Sequence, residues 1–275
     1  MQNELKIGFI GGGNMATALV GGLAVKLTSP HNIHVVDVNQ DSLTRMAARF
    51  GVNTALKIDD ALAACDVIIL AVKPQQLHDV VSQLQAHLSG QLLLSIAAGI
   101  RAADISRWLN GYDAIVRSMP NTPALISKGV TGMVAMPGVT AEQRQAADNI
   151  MRAVGATVWL DDEALIDSVT AVSGSGPAYV FYFIEAMQQA AAELGLTAEQ
   201  GTQLAIATFT GAAELAAQSA DPVSVLRERV TSKGGTTYAA LSSLEASGVK
   251  AAIVQAIKAA AARGKELGDE FGQQG

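Results

Sequence analysis

Near the start of the chain, the segment IGFIGGGNMATALVGGL sets Gly11, Gly13 and Ala16 in a GxGxxA spacing, between an apolar run that reads as a strand and a segment that reads as a helix. The first glycine permits a tight turn, the second lets a diphosphate approach the backbone, and the small third residue lets the helix pack on the sheet. An anion held there sits on the helix N-terminus, where unpaired N–H groups and the helix dipole favour negative charge. The stretch from Ile7 to Val25 is uncharged and long enough to raise the question of a membrane span. However, Gly8, Gly11, Gly12, Gly13, Asn14, Gly21 and Gly22 interrupt it, so it reads as strand, loop and helix.

Short apolar runs then alternate with amphipathic segments: LKIGFI, IHVVDV, DVIILAV, LLLSIA and AIVRSM, followed by GVTGMVA and ATVWL. This alternation predicts a parallel sheet with crossover helices over residues 14–26, 40–50, 75–88 and 141–154. DVIILAV is apolar on both faces, as a strand covered by helices on either side must be. After about Asp161 the strand-like runs stop and Ala-rich helical segments take over. The expected fold is therefore α/β: a Rossmann-type doubly wound sheet over residues 1–160, followed by an all-helical domain over residues 161–275. Its first long helix opens at Ser175-Gly176-Pro177, its second covers 198–218, and an amphipathic last one covers 249–267 with Val249, Ile253, Ile257 and Gly264 on one stripe. The first two have stretches that are apolar all round, which points either to the centre of a bundle or to burial against a second subunit.

Composition removes several classes of function. The net charge of −6 and the lack of any Lys/Arg cluster longer than a pair argue against a nucleic-acid partner. Cys65 is the only cysteine, so an internal disulfide framework and a structural zinc site are excluded, and a reducing cytoplasm is expected. The N-terminus lacks a cleavable signal layout. No HxxxH or carboxylate cluster suggests a metal, and none of His31, His34, His78 and His87 accompanies a Gly-rich loop, which disfavours a His-driven alcohol dehydrogenation. The long helix after Pro177 carries no Lys or Arg before position 200, so the base of a β-hydroxyacid dehydrogenase is missing too. A hydride acceptor needing little acid help, a C=N bond, fits these absences.

Five further segments carry candidate chemistry. Asp37 ends IHVVDVN; an acid there accepts from ribose hydroxyls and repels a 2′-phosphate, which leans the site toward NADH, although Asn39 and Gln40 could donate to a phosphate. Asp37 could instead cap the following helix. AVKP, Ala71 to Pro74, lies at a strand's carboxyl end, where Lys73 could approach a nicotinamide ribose and Pro74 would open a helix. SIAAG, with Ala97, and RSMPNTPA, with Asn121, occupy similar edge positions. Finally, VTSKGGTT, Val230 to Thr237, sets two glycines among hydroxyls at a helix start, either as a nest for a small carboxylate or as a plain Thr-capped helix.

Taken in order, GFIGGGNMA, AVKP, RSMPNTPA, AVSGSGPAYV and DPVSVLRERVTSKGGTTYAALSSLE resemble the pyrroline-5-carboxylate reductases over nearly the whole chain. The resemblance implies reduction of a cyclic imine to L-proline by NADPH or NADH. It also implies an intertwined homodimer, often built into larger rings, whose active site lies between one subunit's nucleotide domain and its partner's helices. By the same resemblance Gly11, Gly13, Asn14 and Met15 hold the pyrophosphate and Ala71, Lys73 and Pro74 line the nicotinamide side; Asp37, Asn39 and Ala97, read from their places at strand ends, complete the expected cofactor site. Pro120 and Asn121 close over the nicotinamide and imine, and Ser173 to Pro177 lie near the pocket. Ser232, Gly234, Gly235 and Thr236 bind the substrate carboxylate. Thr237 bonds the ring nitrogen and relays its proton, and with Lys73 and Asn121 makes up the expected catalytic set. Two departures stand out: many relatives carry Pro in place of Lys233 and Ala in place of Gly12.

Overall fold

The computed structural model describes residues 4–273. It opens with β1 (Ile7–Ile10), α1 (Asn14–Lys26), β2 (Ile33–Val36), α2 (Gln40–Phe50), β3 (Asn53–Ala55), α3 (Asp60–Ala63), β4 (Val67–Leu70) and α4 (Pro74–Leu84). Next come β5 (Leu92–Ser95), α5 (Ala102–Trp108), β6 (Ile115–Met119), β7 (Gly129–Ala135), α6 (Ala141–Arg152) and β8 (Gly155–Trp159). These strands form one eight-stranded sheet in the order β3-β2-β1-β4-β5-β6-β7-β8. Every pairing is parallel except β6 with β7. The order reverses between β1 and β4, where Ile10 lies level with Leu70 on one side and Val36 on the other.

Side-chain alternation along the strands builds the two layers. Ile7 and Phe9, Val67 and Ile69, and Leu92 and Leu94 share one apolar cluster with Leu19 and Leu23 of α1 and Ile150 of α6. Ile10, Ile68, Leu70 and Leu93 belong to the opposite cluster, with Leu77 and Val81 of α4 and Ile105 of α5. The central strands are buried on both faces, as the apolar DVIILAV pattern requires.

The remaining elements are α7 (Leu165–Val169), a π-helical turn at Thr170–Gly174, α8 (Gly176–Glu193), α9 (Ala198–Gln218), α10 (Val223–Arg229), α11 (Thr236–Ala246) and α12 (Val249–Gly272). The chain forms two compact units, one running to Ser175 and resuming at Ala260, the other spanning Gly176–Ala259. Residues 161–175 join the first unit because Arg117, buried in β6, draws Glu163 (3.1 Å) and Asp167 (3.6 Å) onto the sheet. The end of α12 joins it because Phe271 enters the α4/α5 cluster. There Gly264, Gly268 and Gly272 lie against Asp167, Arg101 and Asp104, with no side chain in between.

Local expectations differ in four places. The helix expected over 75–88 begins at Pro74 and tightens into a 3₁₀ turn at Gln85–His87. The one expected to reach Val154 stops at Arg152, and the last continues five residues beyond Leu267 to Gly272. β3, α3, α5, α7 and α10 are too short to show a period in the sequence. Among the described residues no helix is long and apolar enough to cross a membrane.

Asp148 ties α6 to β8. It is 8% exposed, and its carboxylate accepts from Thr157 Oγ1 (2.7 Å), Trp159 Nε1 (2.9 Å) and Arg152 Nε (2.5 Å). Burial pushes its pKa up, but the hydrogen bonds from Thr157, Arg152 and Trp159 outweigh it and hold the group below its ordinary value. A depressed folded-state pKa means stability that is present at neutral pH and lost as pH falls through that value. Asp148→Asn should therefore destabilise the chain by roughly 1–3 kcal/mol at pH 7. In denaturant titrations at stepped pH the difference from wild type should narrow toward pH 3; a gap independent of pH would refute this account.

Candidate functional site

The carboxyl ends of β1 and β4 meet through Gly11. Its N–H donates to Val36 O (2.8 Å), while Ala71 N donates to Ile10 O (2.8 Å). Gly11 has φ +106°, and a Cβ there would overlap the Ala71 carbonyl. Glycine is thus required twice, by backbone conformation and by close approach. Gly12 is held from both sides: its N–H donates to Asp37 Oδ2 (2.6 Å) and its carbonyl accepts from Ser42 Oγ (2.7 Å). A Cβ at position 12 would lie 3.0 Å from Ser42 Oγ and 3.2 Å from Met46 Sδ, so alanine fits only if these side chains give slightly.

Asp37 is not the cap of α2. Its second oxygen accepts from Asn39 N (2.8 Å), and Asn39 caps the helix by accepting from Ser42 N (3.0 Å). Gly13 differs from its neighbours: nothing lies within 4 Å of a Cβ built on it. It is the N-cap of α1, which has neither a side-chain cap nor an acidic residue in its first turn. The open space, the uncapped N–H groups and the absence of nearby negative charge in that turn fit a dinucleotide diphosphate. Asn14 is exposed and Met15 half-buried against the core.

Because the central strands are parallel, the other edge residues gather at the same end of the sheet. Lys73 is the exposed N-cap of α4 and Pro74 its first residue. Ala97 is buried just beyond β5, and Ser118 Oγ joins β6 to β5 through Ser95 O (2.9 Å). Asn121 is 8% exposed; its Nδ2 donates to Ser173 O (3.1 Å) in the π-helical turn, and its Oδ1 accepts from Val130 N (2.9 Å). Sequence reading passed over Arg117 and Glu163. Glu163 also accepts from Ala102 N (2.6 Å) at the start of α5. Their partners lie 46 and 61 residues apart along the chain, beyond any periodic signal.

In the second unit, Ser232 to Gly235 form a turn closed by Gly235 N–H donating to Ser232 O (3.0 Å), with Gly234 at φ +75°. Gly235 is the N-cap of α11 and supplies no side-chain bond, so Thr236 and Thr237 are the first helical residues rather than caps. Both glycine loops therefore end in a helix whose N-terminus no side chain covers.

The family profile described as pyrroline-5-carboxylate reductase dimerisation matches residues 163–267, and one described as NADP oxidoreductase, coenzyme F420-dependent, matches residues 6–99. The pyrroline-5-carboxylate reductase of Pseudomonas aeruginosa is 43% identical over 269 residues, covering 98% of both chains. The chain belongs to the pyrroline-5-carboxylate reductase family. Among solved structures, a member from Coxiella burnetii superposes with TM-score 0.91 at 41% identity, covering 96% of this chain and 99% of that one. One from Plasmodium falciparum, solved with NADP bound, gives 0.86 at 31%, covering 98% and 99%. Family membership makes the chain an NAD(P)H-dependent oxidoreductase.

One departure from the family pattern has a local explanation. Lys233 is the second residue of the Ser232–Gly235 turn, where proline is favoured because its fixed φ suits the turn but many side chains are accepted. The two nucleotide-loop glycines should separate on substitution. Gly11→Ala must cost at least about 1–3 kcal/mol in backbone strain alone, whereas Gly13→Ala should leave unfolding within about 0.5 kcal/mol of wild type. Thermal melts of the pair would contradict this geometry if both variants unfolded alike.

Proposed function

We propose that the two uncapped glycine loops divide the work of the family reaction, the first holding a dinucleotide diphosphate and the second the carboxylate of the substrate. That reaction is the reduction of 1-pyrroline-5-carboxylate to L-proline by NAD(P)H, the last step of proline biosynthesis. The observation carrying this reading is the shared geometry of α1 and α11: a glycine N-cap, free N–H groups, and no carboxylate in the first turn. In this division residues 1–160 bind the nucleotide, and residues 161–275 supply dimerisation and substrate binding.

When bound, the reduced nicotinamide supplies a hydride to the C=N carbon. Gly11 and Gly13 bring backbone N–H groups up to the diphosphate, with Asn14 and Met15 opening the helix beneath it. Asp37 and Asn39 face the adenosine side, and Ala71, Lys73, Pro74 and Ala97 border the nicotinamide side. Asn121 and Pro120 form the wall over the reacting atoms. Asn121 already spends its amide on Ser173 O and Val130 N, so its contribution is to fix that wall. The N–H groups of Ser232, Gly234, Gly235 and Thr236 receive the carboxylate, and their fixed dipoles need no reorganisation during the reaction. The Thr237 hydroxyl, one residue into α11, hydrogen-bonds the ring nitrogen and passes it the proton that balances the hydride.

The chain forms homo-oligomers, as its dimerisation region implies. The finer reading is an intertwined dimer, with the active site between one subunit's nucleotide unit and its partner's helices, and with larger rings built from such dimers. It is supported by α8, α10 and α11, which contain no buried residue, and by Phe181, Tyr182 and Leu204, which are 59%, 73% and 56% exposed. A cytoplasmic location belongs to the same reading and is supported by the cysteine usage, a single free thiol at Cys65.

Thr237→Ala should lower turnover of the pyrroline substrate by roughly 10²-fold or more while leaving nicotinamide affinity within twofold; unchanged turnover would remove Thr237 from the mechanism. Light scattering at micromolar concentration should give at least two chains per particle. Phe181→Asp should shift it toward the monomer, and a wild-type monomer would overturn the reading of the apolar helices.

A further inference from the structure

A cleft of about 530 Å³ opens among the start of α5, the α7 segment and the last turns of α12, with the buried side chain of Arg117 in its lining. All its lining residues belong to the first compact unit, and no residue of either glycine loop is among them. α12 comes in close at Gly264 and Gly268, which lie against Asp167 and Arg101. One turn before Gly264, Ala261 and Ala262 border the open space.

The two sides of the cleft carry opposite charge. On the α7 side two carboxylates, Glu163 and Asp167, face one guanidinium, that of Arg117, so one negative charge is left over. Neither acid is saturated. Both hydrogen bonds to Glu163, from Ala102 N and Arg117 Nη1, fall on Oε1 and leave Oε2 without one. Asp167 Oδ1 stands 3.6 Å from Arg117 Nη2, too far for a hydrogen bond, and its carboxylate accepts none among the described residues. On the α12 side Lys265 is exposed and has neither an ion pair nor a hydrogen bond among them. Arg101 spends Nη2 on Asp269 and keeps its Nε and Nη1 donors without a partner, so one positive charge is left over there. The remaining lining residues, Ala164, Ala261 and Ala262, offer only methyl groups.

We propose that this cleft is a binding site for a zwitterionic α-amino acid with a small aliphatic side chain. Asp167 and Glu163 take its ammonium group, and Lys265 and Arg101 take its carboxylate. A ligand of a single sign would gain one pair of partners and be repelled by the other, whereas a zwitterion satisfies both. The unused carboxylate oxygens match ammonium donors, and the unused guanidinium and ammonium donors match a carboxylate, each through charge-assisted hydrogen bonds. The alanines accept a short branched side chain and give a polar one no partner. The inference is independent of the assignment of the two glycine loops, since none of their residues contributes.

Calorimetric titration of the full-length protein with L-valine, without nicotinamide, tests it. The dissociation constant should be about 1 mM or lower, and isobutylamine and isovalerate, which each lack one of the two charges, should bind at least about tenfold more weakly. Lys265→Ala removes an exposed side chain that has no partner, and it should weaken valine about fivefold or more; Lys265→Glu should weaken it further. Asp167→Asn should weaken it about tenfold, but it also disturbs Arg117, so the two Lys265 variants decide the matter. NADPH affinity should stay within about twofold in both of them. No heat with L-valine up to about 10 mM, binding of isovalerate as tight as that of valine, or valine binding that survives Lys265→Glu unchanged would each overturn the proposal. The last outcome would place the amino acid elsewhere on the chain, and none of the three bears on the reading of the glycine loops.

Discussion

The close approach of Gly11 to the backbone of Ala71 is the constraint on which the rest of the nucleotide unit depends. β1 and β4 lie side by side, yet the helices that follow them pack on opposite faces of the sheet, α1 in one apolar cluster and α4 in the other. The chain therefore splays apart just beyond the two strands and leaves a crevice. Its floor closes only because position 11 has no side chain. Gly12, Asp37 and Ser42 then fasten the loop to β2 and α2, so α1 begins with its N-terminus bare.

A second constraint is electrostatic. Arg117 lies inside the sheet with its side chain 4% exposed, a location that would cost several kcal/mol for an unpaired charge. Glu163 and Asp167 supply the compensation, and Glu163 also receives the first N–H of α5. This cluster fixes the stretch between β8 and the π-helical turn, and Asn121 holds the same turn through Ser173 O. Two polar networks thus shape the segment that leads into α8.

The helical unit obeys a different economy. Across α8 to α11 only Gly201 and Ala205 are buried, although these helices carry much of the chain's aromatic and branched apolar surface. An 84-residue unit with so little core of its own is marginal in isolation. The apolar runs of these helices lie on the surface of the single chain, in the stretch that the dimerisation profile matches.

The sequence by itself determined the Rossmann glycine loop, the helices over 14–26, 40–50 and 198–218, and the helical nature of the second half, because each depends on local spacing and periodic burial. It also determined the family, since the motifs stand in one order along nearly the whole chain. It left open whether Asp37 meets a ribose or caps α2, and whether VTSKGGTT is a nest or a Thr-capped helix; the observed caps are Asn39 and Gly235, each within two residues of the expected ones, and only backbone geometry separates such neighbours. Tertiary structure alone decided that Arg117 pairs with Glu163 and Asp167 and that Phe271 returns to the α4/α5 cluster. The physical reason is range: a helix or turn is selected by neighbours a few residues away, whereas the partner of a buried charge or an aromatic ring is whatever residue the sheet order brings alongside it.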